Sequence, residues 1–316
     1  MKCAVDIGFG FTKAISEQGR EVVFPSAVAK TVLTDLGFGT FKDYYINYNN
    51  QTYAVGKAAL DSIAPETNFT PERFTSNFAK ILVLTSFLAT GVEGEVELGL
   101  GLPLMFYKTL KDKVKDYFEY SEDTVIDKEN IAHSYHIVRC EVFPQGVGAF
   151  FTLDQQLSGK YCLVDVGFRT TDVVTVEVEE ENIEPLLDLC FTIDKGMSLA
   201  IEKLSLLFER KFNVSYDSKF LMDIHERLSI PVRGRQVNIE EIKNDVYQTV
   251  ANDIVQSVLK KLHNELDSLG CIFVAGGGAF YAASILQRTF ENVQVLDNAQ
   301  FANAKGFLKL LNVLDE

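Results

Sequence analysis

Apolar and polar positions change their period several times along the chain, and each change marks an element. Residues 2–9, apolar after Lys2 but for one carboxylate, Asp6, read as a buried strand. Alternation through Lys13 and Ile15, then an apolar return over residues 22–24, predicts a hairpin ending at Pro25, with Gly8 and Gly10 in its turn. Residues 36–55 carry Phe38, Phe41, Tyr44, Tyr45, Tyr48 and Tyr53 without helical period, which predicts a small strand-and-loop insertion. Its rings either pack a small sheet of their own or form a self-association surface. A helix is expected over residues 75–89, with Phe78, Ile81, Leu82, Thr85 and Leu88 along one face, followed by a strand over 96–102 that stops at Pro103. Residues 109–118 form a lysine-rich helix with a solvated face, and 135–143 a further strand. That strand leads into PQGVGAFF, residues 144–151, where Pro144 suits the first turn of a helix.

The second half repeats the plan. Residues 161–166 read as a strand, 167–170 as a turn and 173–178 as the returning strand, with a third strand near 186–193. Gly196 opens a helix whose Met197, Ala200, Ile201, Leu204, Leu207 and Phe208 keep helical period until Asn213. Asn238 caps a long helix with Ile242, Val246, Val250, Ile254, Val258 and Leu262 on one stripe, read as core. An apolar strand over 271–275 ends in Gly276, Gly277 and Gly278, and residues 300–311 make a small-residue turn into a last apolar helix.

Two stretches echo one another: AVDIGFGFTK, residues 4–13, and LVDVGFRTTD, residues 163–172. In each, an apolar strand ends in Asp, glycine starts a tight turn, and hydroxyl or basic side chains follow. The aspartates Asp6 and Asp165 lie 165 − 6 = 159 residues apart, close to half the chain of 316, which predicts two similar units. A glycine after a strand lets main-chain N–H groups approach an anion, so each turn reads as half of a phosphate clamp. A carboxylate beside phosphate holds Mg²⁺, usually through the ion's retained waters, and this assigns Asp6 and Asp165 to one metal. The three glycines at 276–278 leave room for a flat nucleoside against the backbone. Gln145, at a strand-to-helix junction, either caps a helix or orients an attacking water with its uncharged amide. A sugar kinase would place a carboxylate base there instead, so the residue type favours hydrolysis over transfer.

Composition narrows the class. Hydrophobic residues make up 47% of the chain, enough for substantial cores. No apolar run approaches the length of a membrane span and no charged-then-apolar leader opens the sequence, so a cytoplasmic protein without a membrane partner is expected. The net charge of −14 disfavours direct nucleic-acid binding, and the basic cluster Arg227, Arg233 and Arg235 reads as a solvated loop. Five cysteines in apolar runs, with no CxxC pair, read as buried reduced thiols, and the four histidines show no metal-ligand spacing.

The ordered set VDIGFGFTK, PQGVGA, VDVGFRTTD, VAGGGA and QFANAKG resembles the actin-like ATPases, more narrowly the ParM and archaeal-actin branch of plasmid-segregation type. The resemblance spans nearly the whole chain. It implies an actin-like ATPase fold: two similar α/β domains with mixed sheets around a central nucleotide cleft. Domain I is expected over 1–150, with an insertion about 30–72 and a completing helix about 300–316; domain II over 151–299, with a helical subdomain about 196–268. Asp6, Gly8, Gly10, Thr12 and Lys13 match the first phosphate turn, in which the lysine reaches the phosphates. Gln145 matches the first interdomain connection and its water-positioning role. Asp165, Gly167, Thr170 and Thr171 match the second turn, and Gly196 is assigned to cofactor binding as well; Gly276, Gly277 and Gly278 match the adenosine turn, and residues 302–306 the second connection. Phe168 and Arg169 depart from the Asp-Gly pair of eukaryotic actins, and Arg169 is assigned as a phosphate ligand or a subunit contact.

The resemblance further implies ATP, or GTP, with Mg²⁺, a self-assembling filament whose turnover follows hydrolysis, and a separate DNA-binding adaptor of ParR type. Four rivals remain open: a chromosomal cytoskeletal actin homologue, a small-molecule kinase of the same superfold using Asp172 as base, a nucleotide-gated binder without turnover, and a generic α/β metabolite binder that needs neither phosphate nor Mg²⁺.

Overall fold

The first strand, β1 (Lys2–Ile7), is apolar on both faces and buried from Cys3 onward, as a central strand covered on both sides should be. The computed structural model describes residues 1–31, 44–62, 65–68, 70–153, 158–179 and 182–315. They divide into two compact units, Met1–Gln155 with Gln300–Glu316, and Gln156–Ala299.

In the first unit β1 is followed by β2 (Phe11–Ser16), β3 (Glu21–Pro25), β4 (Val28–Thr31), β5 (Tyr44–Tyr48), β6 (Gln51–Val55), the short α1 (Lys57–Leu60), α2 (Asn77–Thr90), β7 (Gly94–Leu102), α3 (Leu104–Phe118), β8 (Glu122–Asp127), β9 (Ala132–Pro144) and the one-turn α4 (Val147–Phe150). A 3₁₀ turn, Pro71–Thr75, leads into α2. Among the described residues the sheet runs β3-β2-β1-β7-β9-β8-β5-β6-β4, with β1 antiparallel to β2 and parallel to β7.

Several expectations are corrected here. The aromatic insertion does not close on a sheet of its own: β5 pairs β8 with Ile46 opposite Asp127, so β5, β6 and β4 extend the main sheet. Tyr44 packs its ring 5.5 Å from Phe24. Phe38 and Phe41 lie outside the described residues. Helix α2 is buried on nearly every side rather than along one face, and Lys80 is buried with it, paired at 2.9 Å to Asp123. Helix α3 starts at Leu104, directly after Pro103, five residues earlier than its lysine run indicates. Pro144 ends β9 opposite Leu102 instead of starting a helix, because Gly146 turns the chain at φ 84° and α4 begins only at Val147.

The second unit contains β10 (Gly159–Val166), β11 (Thr171–Glu179), β12 (Asn182–Pro185), β13 (Phe191–Ile193), α5 (Ser198–Phe212), α6 (Ser218–Met222), β14 (Ser229–Val232), β15 (Arg235–Asn238), α7 (Glu240–Leu262), β16 (Leu269–Ala275), α8 (Ala279–Leu286) and β17 (Val293–Val295). The sheet order is β12-β11-β10-β16-β17, with β13 also on β11. Its centre copies the first unit: an antiparallel hairpin, β10-β11, whose first strand pairs in parallel with a later one, β16. Of the third strand expected near 186–193 only the end forms, as β13, because a 3₁₀ turn at Leu187–Leu189 takes the first part, and β12 lies before the expected range. On α5 the buried positions are Ala200, Leu204 and Phe208, whereas Leu207 faces solvent; Asn213 ends the helix at φ 53°. The Asn238 side chain accepts the Glu240 N–H at 2.9 Å, and the α7 stripe from Val246 to Leu262 is core. Arg233 and Gly234, both at positive φ, make the tight turn of the β14-β15 hairpin, while Arg227 lies 4.1 Å over the Phe220 ring.

The last helix, α9 (Ala302–Val313), belongs to the first unit, where it packs on β1, β2, β7 and α4. Phe307 fills the space over Gly101, and Leu311 that over Gly99, where a Cβ would lie 2.5 Å and 3.0 Å from them. Cys3, Cys140, Cys162 and Cys271 are buried free thiols and Cys190 is half-buried outside any strand. No helix among the described residues is long and apolar enough to cross a membrane.

Candidate functional site

The first cluster forms where β1 turns into β2. A Cβ on Gly8 would meet the Phe11 carbonyl oxygen at 2.7 Å and Lys13 Nζ at 3.0 Å, so only glycine closes this turn unstrained. Ser26 holds the turn from behind: its hydroxyl donates to the Gly8 carbonyl at 2.7 Å and its N–H to the Gly10 carbonyl at 2.9 Å. Register places Lys13 opposite Asp6 across the hairpin, and Lys13 Nζ donates to Asp6 Oδ2 at 3.2 Å. Gln145 Nε2 donates to Asp6 Oδ1 at 2.5 Å. Asp6 is 3% exposed and Gln145 8%, so this is a nearly dry set of one acid, one base and one amide.

Gln145 reaches that position because β9 ends beside β7, with its N–H donating to the Leu102 carbonyl at 2.8 Å. The next N–H, of Gly146, donates to Asn303 Oδ1 on α9 at 2.8 Å. Close approach of α9 to α4 makes this possible: a Cβ on Gly306 would lie 1.8 Å from the Gly148 carbonyl oxygen. With one N–H of its amide committed to Asp6, Gln145 keeps its carbonyl oxygen as an acceptor. Thr12, assigned above to the phosphate side, is fully buried behind the turn, where its hydroxyl is engaged with Ser26 at 2.9 Å.

The second cluster forms where β10 turns into β11. The Gly167 N–H closes the turn on the Thr170 carbonyl at 2.9 Å, and the N–H groups of Met197 and Ser198 donate to the Gly167 and Phe168 carbonyls at 3.1 and 2.7 Å. Gly196 is the close contact that permits this, since a Cβ there would meet the Phe168 oxygen at 2.4 Å. Thr171 donates to the Lys195 carbonyl at 2.9 Å, and Thr170 is buried beside it. Asp165 and Asp172 lie opposite one another on β10 and β11, and Thr192 donates its hydroxyl to Asp172. Arg169 is half-exposed and stands 3.6 Å from Asp194.

The triple glycine follows β16, which lies beside β10. Gly276 has φ 84°, and a Cβ on it would sit 2.4 Å from Asp165 Oδ1; a Cβ on Gly278 would sit 2.5 Å from Val166 Cγ1. Both glycines therefore serve contact with β10. Only Gly277 leaves open space over a Cβ, so one glycine rather than three offers room to a ligand. The second unit thus gathers Asp165, Gly167, Thr170, Thr171, Gly196 and Gly276–Gly278, and the first gathers Asp6, Gly8, Gly10, Lys13 and Gln145.

The donor chemistry fits Mg²⁺ held through water. Both Asp6 oxygens already accept N–H donors, and no group of three or more His, Cys, Asp or Glu among the described residues makes an all-protein metal cage. Three residues of the first cluster escape a reading of the sequence. Ser26 and Asn303 are ordinary polar residues far along the chain from the groups they hold. Arg73, in the 3₁₀ turn before α2, donates Nη2 to the Gly8 carbonyl at 3.2 Å while being completely buried, and nothing in PERFT announces it.

Two family models match: residues 4–148 match the actin-like proteins' N-terminal domain, and residues 163–288 the archaeal actin homologue MreB-like C-terminal domain. An archaeal actin homologue of Thermoplasma volcanium is 29% identical over 96% of both chains. A solved archaeal actin homologue superposes with a TM-score of 0.87 at 25% identity over 99% of both chains, and it has also been solved in complex with ADP, at 24% identity and a TM-score of 0.84. The ParM of a 15-stranded filament from Clostridium botulinum gives a TM-score of 0.85 at 22% identity over 99% of both chains. Matches to both halves in order, a full-length relative and the shared fold agree: the chain has the actin-like fold and belongs with the actin-like proteins, archaeal actin homologues among its relatives.

Proposed function

We propose that this protein is a cytoplasmic ATPase that binds Mg-ATP with the turns of both units, assembles into a filament of its own copies, and hydrolyses ATP to control filament turnover. The observation that carries the reading is the buried Asp6–Lys13–Gln145 set at the end of β1. Lys13 and the main chain of Gly8 and Gly10 meet the phosphates; Gly167, Thr170 and Thr171, braced by Gly196, meet them from the second unit, with Arg169 at the rim. Gly277, framed by Gly276 and Gly278, receives the nucleoside, consistent with the relative that binds ADP. Asp6 fixes the Gln145 amide so that its carbonyl oxygen accepts a hydrogen bond from the attacking water and points it in line. Mg²⁺, held through water by Asp6 and Asp165, supplies charge neutralisation when bound. Positioning and a preorganised field provide the catalysis.

Filament formation is supported by the ParM relative that assembles into filaments. A role in DNA segregation needs a basic DNA-binding adaptor of ParR type, for which a net charge of −14 is permissive. A chromosomal cytoskeletal role uses the same machinery, and GTP replaces ATP if the base pocket allows it. The kinase alternative is disfavoured because Asp172, its candidate base, is 3% exposed and already accepts the Thr192 hydroxyl. The test is phosphate release and light scattering with Mg-ATP. Gln145→Ala is expected to slow release by about tenfold to a thousandfold while ADP affinity holds, the scale of one lost positioning group. Lost affinity with unchanged turnover of the bound nucleotide would remove Gln145 from this role.

A further inference from the structure

Arg73 is the one charged group of the first cluster that the mechanism above leaves unused. Its side chain is 0% exposed and lies between three aromatic rings, 5.0 Å from the centroid of Phe9, 5.5 Å from Phe74 and 5.2 Å from Phe78. Nη2 donates to the Gly8 carbonyl at 3.2 Å, while Nε and Nη1 have no hydrogen-bond partner among the described residues. Burial pushes the guanidinium down to about 10, with the Asp6 charge opposing, so it remains cationic at neutral pH.

A guanidinium kept only for packing would be a poor choice here. Buried charges are ordinarily paired, and an apolar chain of similar volume between three rings folds as well or better. The cation stands directly behind the turn whose Gly8 carbonyl it holds. Lys13 and Arg73 together set two positive charges against the single carboxylate of Asp6, which leaves the turn net positive in a low-dielectric setting.

We propose that Arg73 is a positioning residue for the first phosphate turn: its buried guanidinium fixes the Gly8 carbonyl and supplies, from behind, the positive field that selects phosphate-bearing nucleotides over nucleosides. The inference rests on the nucleotide-binding reading. It adds a residue that never touches the ligand and a basis for discriminating ADP from adenosine.

The experiment compares binding of ADP, AMP and adenosine to the wild-type protein, Arg73→Met and Arg73→Lys by calorimetry, with thermal denaturation alongside. Arg73→Met is expected to keep its melting temperature and its adenosine affinity within about twofold, and to lose about tenfold in ADP affinity, the scale of one partly screened charge. Arg73→Lys keeps the charge and is expected to retain the ADP-to-adenosine ratio within about threefold, which maintains the test if the methionine variant does not fold. Equal weakening of ADP and adenosine in Arg73→Met, or loss of the ratio in a folded Arg73→Lys, overturns the proposal. A wild-type protein that binds neither nucleotide overturns the nucleotide reading itself, a distinct result.

Discussion

Gly306→Ala is the sharpest test of how packing places Gln145. An alanine Cβ at this position would stand 1.8 Å from the Gly148 carbonyl oxygen, 2.2 Å from its carbonyl carbon and 2.9 Å from its Cα. All three are backbone atoms of α4, so no rotamer change relieves the clash. Ordinary contact begins near 3.4 Å, so the two helices must part by 3.4 − 1.8 = 1.6 Å. Overpacking of this kind costs about 1–3 kcal/mol, and a backbone-on-backbone clash belongs at or above the upper end. The intrinsic effect has the opposite sign, since Gly→Ala inside a helix stabilises by about 1 kcal/mol. The two accounts therefore disagree in direction as well as size. Asn303, which anchors the Gly146 N–H, moves with α9, so phosphate release should slow together with the loss of stability. Urea denaturation followed by circular dichroism, with phosphate release on the folded variant, reads both quantities. A variant as stable as wild type, or more so, would show that α9 does not approach α4 closely and would remove the packing basis for the placement of Gln145.

Two further predictions concern stability. Lys80→Met strips Asp123 of its buried partner, leaving the carboxylate, among the described residues, with the Tyr48 hydroxyl at 2.6 Å; a loss of about 3–5 kcal/mol is expected, largely recovered on adding Asp123→Asn, and an additive double mutant would refute the pairing. Burial pushes the Cys3 and Cys162 thiols up to about 12 and Cys271 to about 11, against 9.0 unfolded. Because the folded pKa values are raised, this contribution to stability is complete below pH 9 and lost as pH climbs through 11–12. The denaturation midpoint should fall between pH 8.5 and 10.5, with thiol reagents reacting slowly until the chain unfolds; prompt reaction of four or five thiols in the folded protein would contradict it.

The two Asp-tipped turns were legible because their chemistry is local: strand, carboxylate, glycine and hydroxyls are contiguous in sequence. What escaped depends on partners far along the chain. Strand β8 buries alternate positions, Asp123 and Val125, but one of the two is a carboxylate, so its sequence shows no apolar alternation, and its neighbour β5 looked self-contained without it. The lysines of α3 conceal its start, because the first turn after Pro103 is apolar and aromatic. Gln145 was identifiable by residue type, but its tether to Asp6 spans 139 positions and its second anchor, Asn303, comes later still. Arg73 left no trace at all, since an arginine in a polar-looking turn ordinarily faces water.

The first unit is broken in sequence: Gln156–Ala299 intervenes before α9 returns to it. On the ribosome, the groove formed by Ala4, Ile15, Gly99 and Gly101 therefore stays uncovered until residues near Phe307 and Leu311 emerge. The second unit, uninterrupted, has all its strands at hand earlier and can mature first, so translation order and folding order are reversed. A nascent chain stalled before residue 300 would carry one finished body and one sticky, unsealed body, a substrate for chaperones rather than for assembly.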